Sequence, residues 1–356
     1  MESVHEPCEY TNNTEEKHAA HQLETHAPGE TDGGRDEKKK KCWRWPFGPG
    51  ETDGGRKEAG NQEKRNLVNN KTGKKLTRAA AGTSRRHDKG YILRRYKIGP
   101  KLGEGGFGLV TAGSRRKDGL EVAVKYSLKS PNMPFIRLPG HPKRLTWEIG
   151  LTLMANKSPS SPQIIKLLDW QEYTGHYIMV MERPLPSMDL LSFMELHGGT
   201  LNEGTAQHVM RQVVRAANVC FDNGVFHRDI KPENLLVNQD TMEVKLIDFG
   251  CGALMKEAAF KVFCGTKEYF PPEFKLTGKY HAKPMTVWSL GILLFEMLCG
   301  DFPTAKDLCM TAANIWTNPG LSQECCRLIC DCLQSEPKKR LALEMMHLHD
   351  WFKVMD

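Results

Sequence analysis

The pattern of hydrophobic and polar positions divides the chain near residue 90. Residues 1–90 contain few aliphatic or aromatic positions, and these show no periodicity. Such a segment cannot bury enough apolar surface to offset the entropy that it loses on ordering. From Tyr91 onward, hydrophobic residues recur at the spacings of strands and helices. The pattern therefore predicts a disordered tail over residues 1–90 and a folded domain over residues 91–356.

The first part of the folded domain has the pattern of an antiparallel sheet. Three strands are predicted, one ending near residue 102, one over residues 108–115 and one over residues 121–127. A Lys-Asp-Gly turn joins the last two and makes them a hairpin. A helix is predicted next, with apolar residues at Leu145, Ile149 and Leu153. Two further strands are predicted around a Thr-Gly turn that follows this helix.

The second part of the domain has helical spacing. Val209 and Val213 share one face of a predicted helix, and residues 286–300 are apolar nearly all round, as expected of a central buried helix. A small antiparallel-sheet lobe over residues 91–182 and a larger helical lobe over residues 183–356 give an α+β, bilobal architecture. A ligand is expected in the cleft between the two lobes.

Charge separates the tail from the domain. Residues 1–37 carry a net charge of −8 and residues 38–90 a net charge of +11, while the whole chain of 356 residues carries +7. The domain is therefore close to neutral, and nucleic acid is not expected as a partner. The segment PGETDGGR occurs at residues 28–35 and again at residues 49–56. Two polar, Gly-rich copies cannot stack a core, so a duplicated linker is favoured over a solenoid.

The tail also contains the cluster KKKKCWRWPFG at residues 38–48. A nuclear address, a contact with an anionic membrane and a solvated charge run are all compatible with it. The chain shows no signal-peptide pattern, and no run of 18 to 20 apolar residues that would predict a transmembrane segment. We therefore expect a cytoplasmic or nuclear protein whose cysteines are reduced thiols.

Three motifs carry the candidate chemistry. The first is GEGGFG at residues 103–108, a G-x-G-x-x-G loop. It joins two predicted strands, whereas the corresponding loop of a dinucleotide-binding fold leads into a helix. Its backbone N–H groups are therefore expected to cover phosphates. Lys125 follows on the next strand and is expected to hold phosphate oxygens, with Glu148 on the following helix as its partner.

The second and third motifs are more specific. HRDIKPEN at residues 227–234 supplies Asp229 to accept a hydroxyl proton, Lys231 to neutralise transferred charge and Asn234 to bind a metal ion. Asp248, in an Asp-Phe-Gly motif after an apolar strand, supplies a second metal ligand. The order of all these elements points to phosphoryl transfer.

Together these residues resemble the eukaryotic protein kinases, over about residues 96–354. The Pro-Pro-Glu at residues 271–273 belongs to the same pattern, and GTKEYFPPE with Lys231 resembles the serine/threonine kinases. The stretches KLLDW, MERPLPSMDL, LIDFGCGALMK, TVWSLGILLFEMLCGDFP and SQECCRLICDCL resemble the Pim kinases in sequence and spacing.

The resemblance implies a bilobal kinase fold that transfers the γ-phosphoryl group of ATP, with Mg²⁺, to Ser or Thr of protein substrates. It assigns four catalytic residues, namely Asp229, Lys231, Lys125 and Glu148. It assigns nucleotide binding to Leu102, Gly103, Glu104, Gly105, Gly106, Phe107, Gly108, Leu109, Val110, Ala123, Lys125, Met181, Glu182 and Asp189. It assigns Mg²⁺ binding to Asn234 and Asp248. In this assignment Asp189 lies near the ribose, and Pro184 removes a hinge N–H that most kinases donate to adenine.

Regulation and specificity are the finer expectations. Residues 251–265 contain no Ser, Thr or Tyr, so the segment where many kinases are phosphorylated has no acceptor. The resemblance therefore implies constitutive activity, with Thr266 bonded to Asp229 and with Glu257 as a candidate partner of Arg228. It further implies a monomer.

The resemblance also implies a preference for Arg- or Lys-rich sites upstream of the acceptor. The carboxylates that could read such sites are Glu233, Asp189, Asp301 and Asp307. The alternative hypothesis is a kinase-shaped, nucleotide-binding scaffold with little activity.

Overall fold

Two parts of the chain, residues 90–105 and residues 108–353, are described by the computed structural model. The predicted disordered tail, with its duplicated segment and its basic-aromatic cluster, lies outside the described residues apart from Gly90. Residues 106, 107 and 354–356 also lie outside them. All of the described residues belong to one compact unit.

A five-stranded antiparallel sheet dominates the first part of the domain, with strand order β1-β2-β3-β7-β6. Its elements are α1 (Tyr91–Arg95), β1 (Tyr96–Gly105), β2 (Gly108–Arg115), β3 (Glu121–Leu128), β4 (Phe135–Ile136), β5 (Leu145–Thr146), α2 (Trp147–Ala155), β6 (Leu167–Glu172) and β7 (His176–Glu182). The predicted strands are confirmed. The predicted helix begins at Trp147 rather than near Leu145, because Leu145 and Thr146 pair with Ile136 and Phe135 as a short strand.

Helices build most of the second part. Its elements are β8 (Ser187–Asp189), α3 (Leu190–Leu196), α4 (Glu203–Asp222), β9 (Val225–Phe226), β10 (Leu235–Asn238), β11 (Val244–Leu246), β12 (Ala253–Leu254), α5 (Pro272–Thr277), α6 (Ala282–Cys299), α7 (Ala305–Ala312) and α8 (Gln323–Cys332). Short 3₁₀ turns lie at Pro232–Asn234, Lys267–Tyr269, Pro337–Lys339, Leu343–Leu348 and Asp350–Phe352. The predicted α+β arrangement of a sheet lobe and a helical lobe is confirmed.

Helix α4 shows how local sequence sets an element. Its N-cap Asn202 accepts a hydrogen bond from the Thr205 N–H at 2.8 Å, which satisfies one of the unpaired donors at the helix start. Val209 and Val213 are fully buried on its inner face. Gly224, with φ 74°, follows the helix in the left-handed conformation that a side chain disfavours. The helix is therefore fixed at both ends and along one face.

Helix α6 is the central helix of the large lobe. Nearly all of its side chains are buried, and it packs against α4 and α8. At Gly291 an added Cβ would lie 2.6 Å from the Cβ of Cys332, so only glycine allows α8 to approach this closely. Among the described residues, α6 alone is long and apolar enough to span a membrane, but 78% of it is buried inside the protein. It has the character of a core helix.

A largely buried ion pair connects α5 to the chain near the C-terminal end. Arg340 Nη1 lies 2.9 Å from Glu273 Oε1, and Nη2 lies 2.5 Å from Oε2. Arg340 also donates to the backbone carbonyls of Pro284 and Gln334, both at 2.9 Å. Its guanidinium lies over the ring of Trp288. Arg340 therefore binds the Glu273 carboxylate in bidentate geometry and donates to two backbone carbonyls as well.

Candidate active site

Lys125 lies at the centre of the sheet lobe, where β3 brings it to face α2. Its Nζ is 2.6 Å from Glu148 Oε1 and 3.0 Å from Asp248 Oδ1. The predicted pair of Lys125 with Glu148 is therefore confirmed. Glu148 is oriented in turn by the Tyr177 hydroxyl, which donates to its Oε2 at 2.6 Å. One ammonium thus connects the sheet, α2 and the Asp-Phe-Gly segment.

Burial and charge act in opposite directions on this cluster. Burial alone would lower the pKa of Lys125, but the charges of Asp248 and Glu148 raise it above its ordinary value. Burial raises the pKa of Glu148. The pKa of Asp248 is lowered, because Lys125 and the Gly250 N–H outweigh the effect of burial. The ammonium therefore stays protonated beside an ionised Asp248.

The Asp-Phe-Gly segment has an unusual backbone. Asp248 has φ 64°, in the left-handed region that a non-glycine residue rarely occupies. Its Oδ1 accepts a hydrogen bond from the Gly250 N–H at 3.0 Å, which supports the bend. Phe249 is buried, and its ring meets the ring of His227 edge-on with centroids 4.9 Å apart. This packing turns the Asp248 carboxylate toward Lys125.

Asp229 is held from two sides. Its Oδ1 accepts hydrogen bonds from the Thr266 backbone N–H at 3.0 Å and from the Thr266 hydroxyl at 2.9 Å. Its Oδ2 accepts from Asn234 Nδ2 at 3.0 Å and lies 3.5 Å from Lys231 Nζ. Lys231 also donates to the Thr266 hydroxyl at 2.7 Å. The predicted bond between Thr266 and Asp229 is confirmed, and it joins the catalytic loop to the substrate-docking turn.

His227 forms two hydrogen bonds that stabilise the same loop. Its Nε2 lies 2.9 Å from the Ile247 carbonyl, and its Nδ1 accepts the Asp229 N–H at 3.3 Å. This arrangement requires a neutral ring with the proton on Nε2. Burial lowers the pKa of His227, which favours the neutral form. His227 therefore fixes the backbone of Asp229.

A pocket opens between the sheet and the catalytic loop. Five residues predicted to bind nucleotide line it, namely Val110, Ala123, Lys125, Met181 and Glu182. The pocket also contains the carboxylates of Glu148 and Asp248 and the amide of Asn234. Ile165, Glu233, Leu236 and Ile247 line it too, although none was predicted to bind nucleotide. Ile247 directly precedes Asp248 and Leu236 lies two residues after Asn234, which is the signal that could have identified them.

The Gly-rich segment forms a hairpin above this pocket. Across β1 and β2, Gly103 pairs with Val110, Glu104 with Leu109 and Gly105 with Gly108. Leu102 is buried against Val110 and Ala123. Glu104, Gly105, Gly108 and Leu109 line a groove that adjoins the pocket. Gly106 and Phe107, predicted at the tip, lie outside the described residues.

Asp189 has a capping role that the sequence did not indicate. It is fully buried at the end of β8, and it does not line the pocket. Its carboxylate caps α3 by accepting from the Ser192 N–H and the Ser192 hydroxyl, both at 2.9 Å. That Asp189 lies near the ribose stays a prediction. An N-cap aspartate looks the same as a ligand-binding aspartate in sequence, because both precede a helix.

Asn234 and Asp248 are suited to a divalent cation. Both hydrogen bonds from the Asn234 side chain to Asp229 use its nitrogen, which leaves the amide oxygen for a metal. Lys125 and Gly250 bind Oδ1 of Asp248, which leaves its Oδ2. Two oxygens from a carboxylate and an amide fit Mg²⁺, which takes one or two protein ligands and otherwise water and phosphate.

Known proteins share this arrangement in sequence. Residues 96–352 match the family model described as protein kinase domain. The chain is 39% identical, over 75% of its length and 87% of the relative, to the serine/threonine-protein kinase pim-2 of Danio rerio. It is 35% identical to the serine/threonine-protein kinase prk-2 of Caenorhabditis elegans, over 73% of this chain and 58% of that protein. It is also 32% identical to the PAS domain-containing serine/threonine-protein kinase of Mus musculus, over 72% of this chain and 18% of that protein.

Proposed function

Because the chain belongs to the protein kinase family and is an ATP-dependent serine/threonine kinase, we propose that it works without phosphorylation of its activation segment and favours basic substrates. The activation segment is defined here as residues 251–265. The observation that carries the proposal is that Lys125 contacts Glu148 while Thr266 contacts Asp229, both in an unphosphorylated chain. The first contact fixes the lysine that is expected to hold the nucleotide phosphates. The second contact joins the catalytic base to the substrate-docking turn.

The proposed reaction transfers the γ-phosphoryl group of ATP to a Ser or Thr hydroxyl. Asp229 accepts the hydroxyl proton on its carboxylate, and Lys231 stabilises the negative charge that moves with the phosphoryl group. Lys125, fixed by Glu148, orients the nucleotide phosphates. Mg²⁺, held by Asn234 and Asp248, would neutralise phosphate charge when bound. Positioning and electrostatics supply most of the rate enhancement.

Arg228 supports the proposed independence from phosphorylation. In many kinases the arginine of this motif binds the activating phosphate. Here its Nε and Nη2 donate to the backbone carbonyls of Cys251 and Gly252 at 2.5 and 3.0 Å. The expected pair of Arg228 with Glu257 is not formed among the described residues. Backbone carbonyls therefore bind the arginine in the place of a phosphate, which supports a segment that needs no added charge.

Phosphatase treatment is the test of this proposal. The full chain, dephosphorylated and then given Mg-ATP and a peptide with arginines upstream of a serine, is expected to label the serine at the rate of the untreated protein. Activity is measured as incorporated phosphate, and intact mass verifies that the protein carries none before the assay. A phosphorylation-dependent kinase treated in parallel verifies that the phosphatase treatment inactivates such an enzyme. Loss of activity on dephosphorylation would show that a phosphorylated site is required.

An acidic cluster next to the catalytic loop supports the proposed basic preference. Glu296 accepts from the Tyr269 hydroxyl at 2.7 Å. Burial, together with the negative charges of Glu233 and Asp301, raises the pKa of Glu296 to about 7. A substrate guanidinium would relieve this repulsion. Asp189, by contrast, is buried and caps α3, and Asp307 caps α7 and accepts from Trp316.

Replacement of Glu296 by glutamine is expected to raise KM for an arginine-rich peptide about tenfold, as for the loss of one charge-assisted hydrogen bond. For the wild type, KM for this peptide is expected to fall as pH rises through about 7, because Glu296 then becomes charged. The variant should lose this dependence. Steady-state kinetics with an arginine-rich peptide and a matched neutral peptide measure both effects.

Glu243→Gln is the matched control, because Glu243 is exposed and lies in the turn before β11. It should leave KM unchanged for both peptides. Equal KM values for basic and neutral peptides in the wild type would contradict the proposed preference.

We further propose a monomer that acts in the cytoplasm or the nucleus. The cysteines of the described residues are all thiols, which fits a reducing compartment. Light scattering of the purified chain would test whether it is a monomer. Fluorescence microscopy of a tagged chain would test where in the cell it acts.

A further inference from the structure

Two cysteines lie at opposite ends of the activation segment and meet in space. Cys251 directly follows the Asp-Phe-Gly motif, and Cys264 comes 13 residues later. Their sulfur atoms are 2.8 Å apart. Between them, β12 pairs with β9 and Phe260 pairs with Tyr280, so the segment runs out and returns. The fold, rather than local sequence, brings the two thiols together.

We propose that Cys251 and Cys264 form a redox pair that hydrogen peroxide converts into a disulfide, closing the activation segment into a covalent loop. The consequence for regulation rests on the proposed activity, whereas formation of the bond does not. The pair would stabilise a segment that lacks any hydroxyl residue for phosphorylation.

The geometry requires little movement. A disulfide has an S–S distance of about 2.05 Å, so the sulfurs need to approach by less than about 1 Å. Cys264 is partly exposed, whereas Cys251 is buried. A dissolved oxidant therefore reaches Cys264 first, and Cys251 is placed to resolve the product.

The surroundings favour a thiolate at Cys264. The hydrogen bond between the Cys264 and Cys251 sulfurs and the charge of Arg228 lower the pKa of Cys264 to about 7. The same pairing, together with burial, raises the pKa of Cys251. The first proton therefore leaves from the more exposed member of the pair, which is the member that meets the oxidant.

The chemistry balances with peroxide as the only oxidant. The Cys264 thiolate attacks one peroxide oxygen, the O–O bond breaks, and a sulfenic acid forms while hydroxide leaves and takes a proton. The Cys251 sulfur loses its proton and attacks the Cys264 sulfur, and the S–OH bond breaks to release a second hydroxide as water. Two thiols lose two electrons and peroxide becomes two waters. A dithiol reductant reverses the bond by exchange.

The bond would preserve the active arrangement. Cys264 lies two residues before Thr266, whose hydroxyl and N–H both bind Asp229. A covalent tie at Cys264 restricts how far this docking turn can leave Asp229. Lys256 and Lys261 are exposed within the loop, so trypsin can cut it in either redox state.

Peptide mapping tests the proposal directly. The full chain is treated with hydrogen peroxide, remaining thiols are alkylated, and the protein is digested with trypsin without reductant. We expect residues 246–256 and residues 262–267 to appear as one linked peptide, two hydrogen masses below their sum, which dithiothreitol separates. Cys251→Ser and Cys264→Ser should each abolish this species. Cys309→Ser, at an exposed cysteine outside the segment, should keep it.

Other outcomes overturn the proposal. Peroxide that leaves both thiols free to alkylate, or that takes Cys264 to the sulfinic acid while Cys251 stays alkylatable, would show that the two thiols do not react as a pair. Kinase assays on the linked protein should show activity equal to that of the reduced protein, and loss of activity on linkage would overturn the predicted effect. A protein that is inactive even when reduced would contradict the proposed function but leave the linked-peptide result intact.

Discussion

Replacement of Asp229 by asparagine is expected to lower kcat by about 10²- to 10⁴-fold, the usual contribution of a positioned general base. An amide cannot accept the hydroxyl proton. Its NH₂ group also replaces one carboxylate oxygen, so it would face a donor in either orientation, Asn234 Nδ2 at Oδ2 or the Thr266 N–H at Oδ1. Lys125 and Asp248 are untouched, and nucleotide affinity should therefore be retained. Steady-state kinetics give kcat, and titration with nucleotide gives affinity.

The control for this variant is Asp240→Asn. Asp240 is an exposed aspartate in the turn between β10 and β11. It should keep the kcat of the wild type. Equal kcat in the Asp229 variant and the wild type would mean that another group accepts the proton, and the assignment of Asp229 would be wrong.

Replacement of Arg340 by methionine is expected to lower the free energy of unfolding by about 3 to 5 kcal/mol. Methionine keeps much of the apolar stem but leaves the largely buried carboxylate of Glu273 and the carbonyls of Pro284 and Gln334 without their donor. For a domain of this size such a loss lowers Tm by roughly 6 to 20 °C. Urea unfolding and thermal unfolding followed by circular dichroism measure the effect.

Two further variants show whether the buried charge is the cause. In Arg340→Met combined with Glu273→Leu, no carboxylate remains, so part of the lost stability should return. Lys283→Met breaks an exposed pair with Glu344 and should change stability little, because water already screens both charges. If Arg340→Met and Lys283→Met had equal effects, the pair would not be stabilising the fold through its burial.

Much of the fold follows from patterns that depend only on neighbouring residues. The strand pattern before Lys125 and the helical face of α4 are local, and the structure confirms both. The pairing of Lys125 with Glu148 was also predictable, because a buried ammonium needs an anion and the next helix offers one. The start of α2 was not predictable, since Leu145 joins a short strand whose partner is β4, a two-residue strand earlier in the chain.

The candidate site was less predictable wherever long-range packing decides a role. The capping role of Asp189 was not predicted, because it depends on the packing of β8 at the start of α3. Ile165 and Leu236 line the pocket only because distant segments converge there. The meeting of Cys251 and Cys264 depends on the path of the whole activation segment, which no pairwise spacing reveals.

The hydrogen bonds of His227 give the catalytic loop an acid limit. Folding keeps the ring neutral, with a pKa below its ordinary value of 6.5. The unfolded chain therefore binds the extra proton more readily than the folded chain below that pH. The stability that His227 contributes is complete at neutral pH and is lost as pH falls from 6.5 toward the lowered pKa. A second proton on the ring would also remove the acceptor of the Asp229 N–H. Acidification is thus expected to loosen the backbone that presents the base.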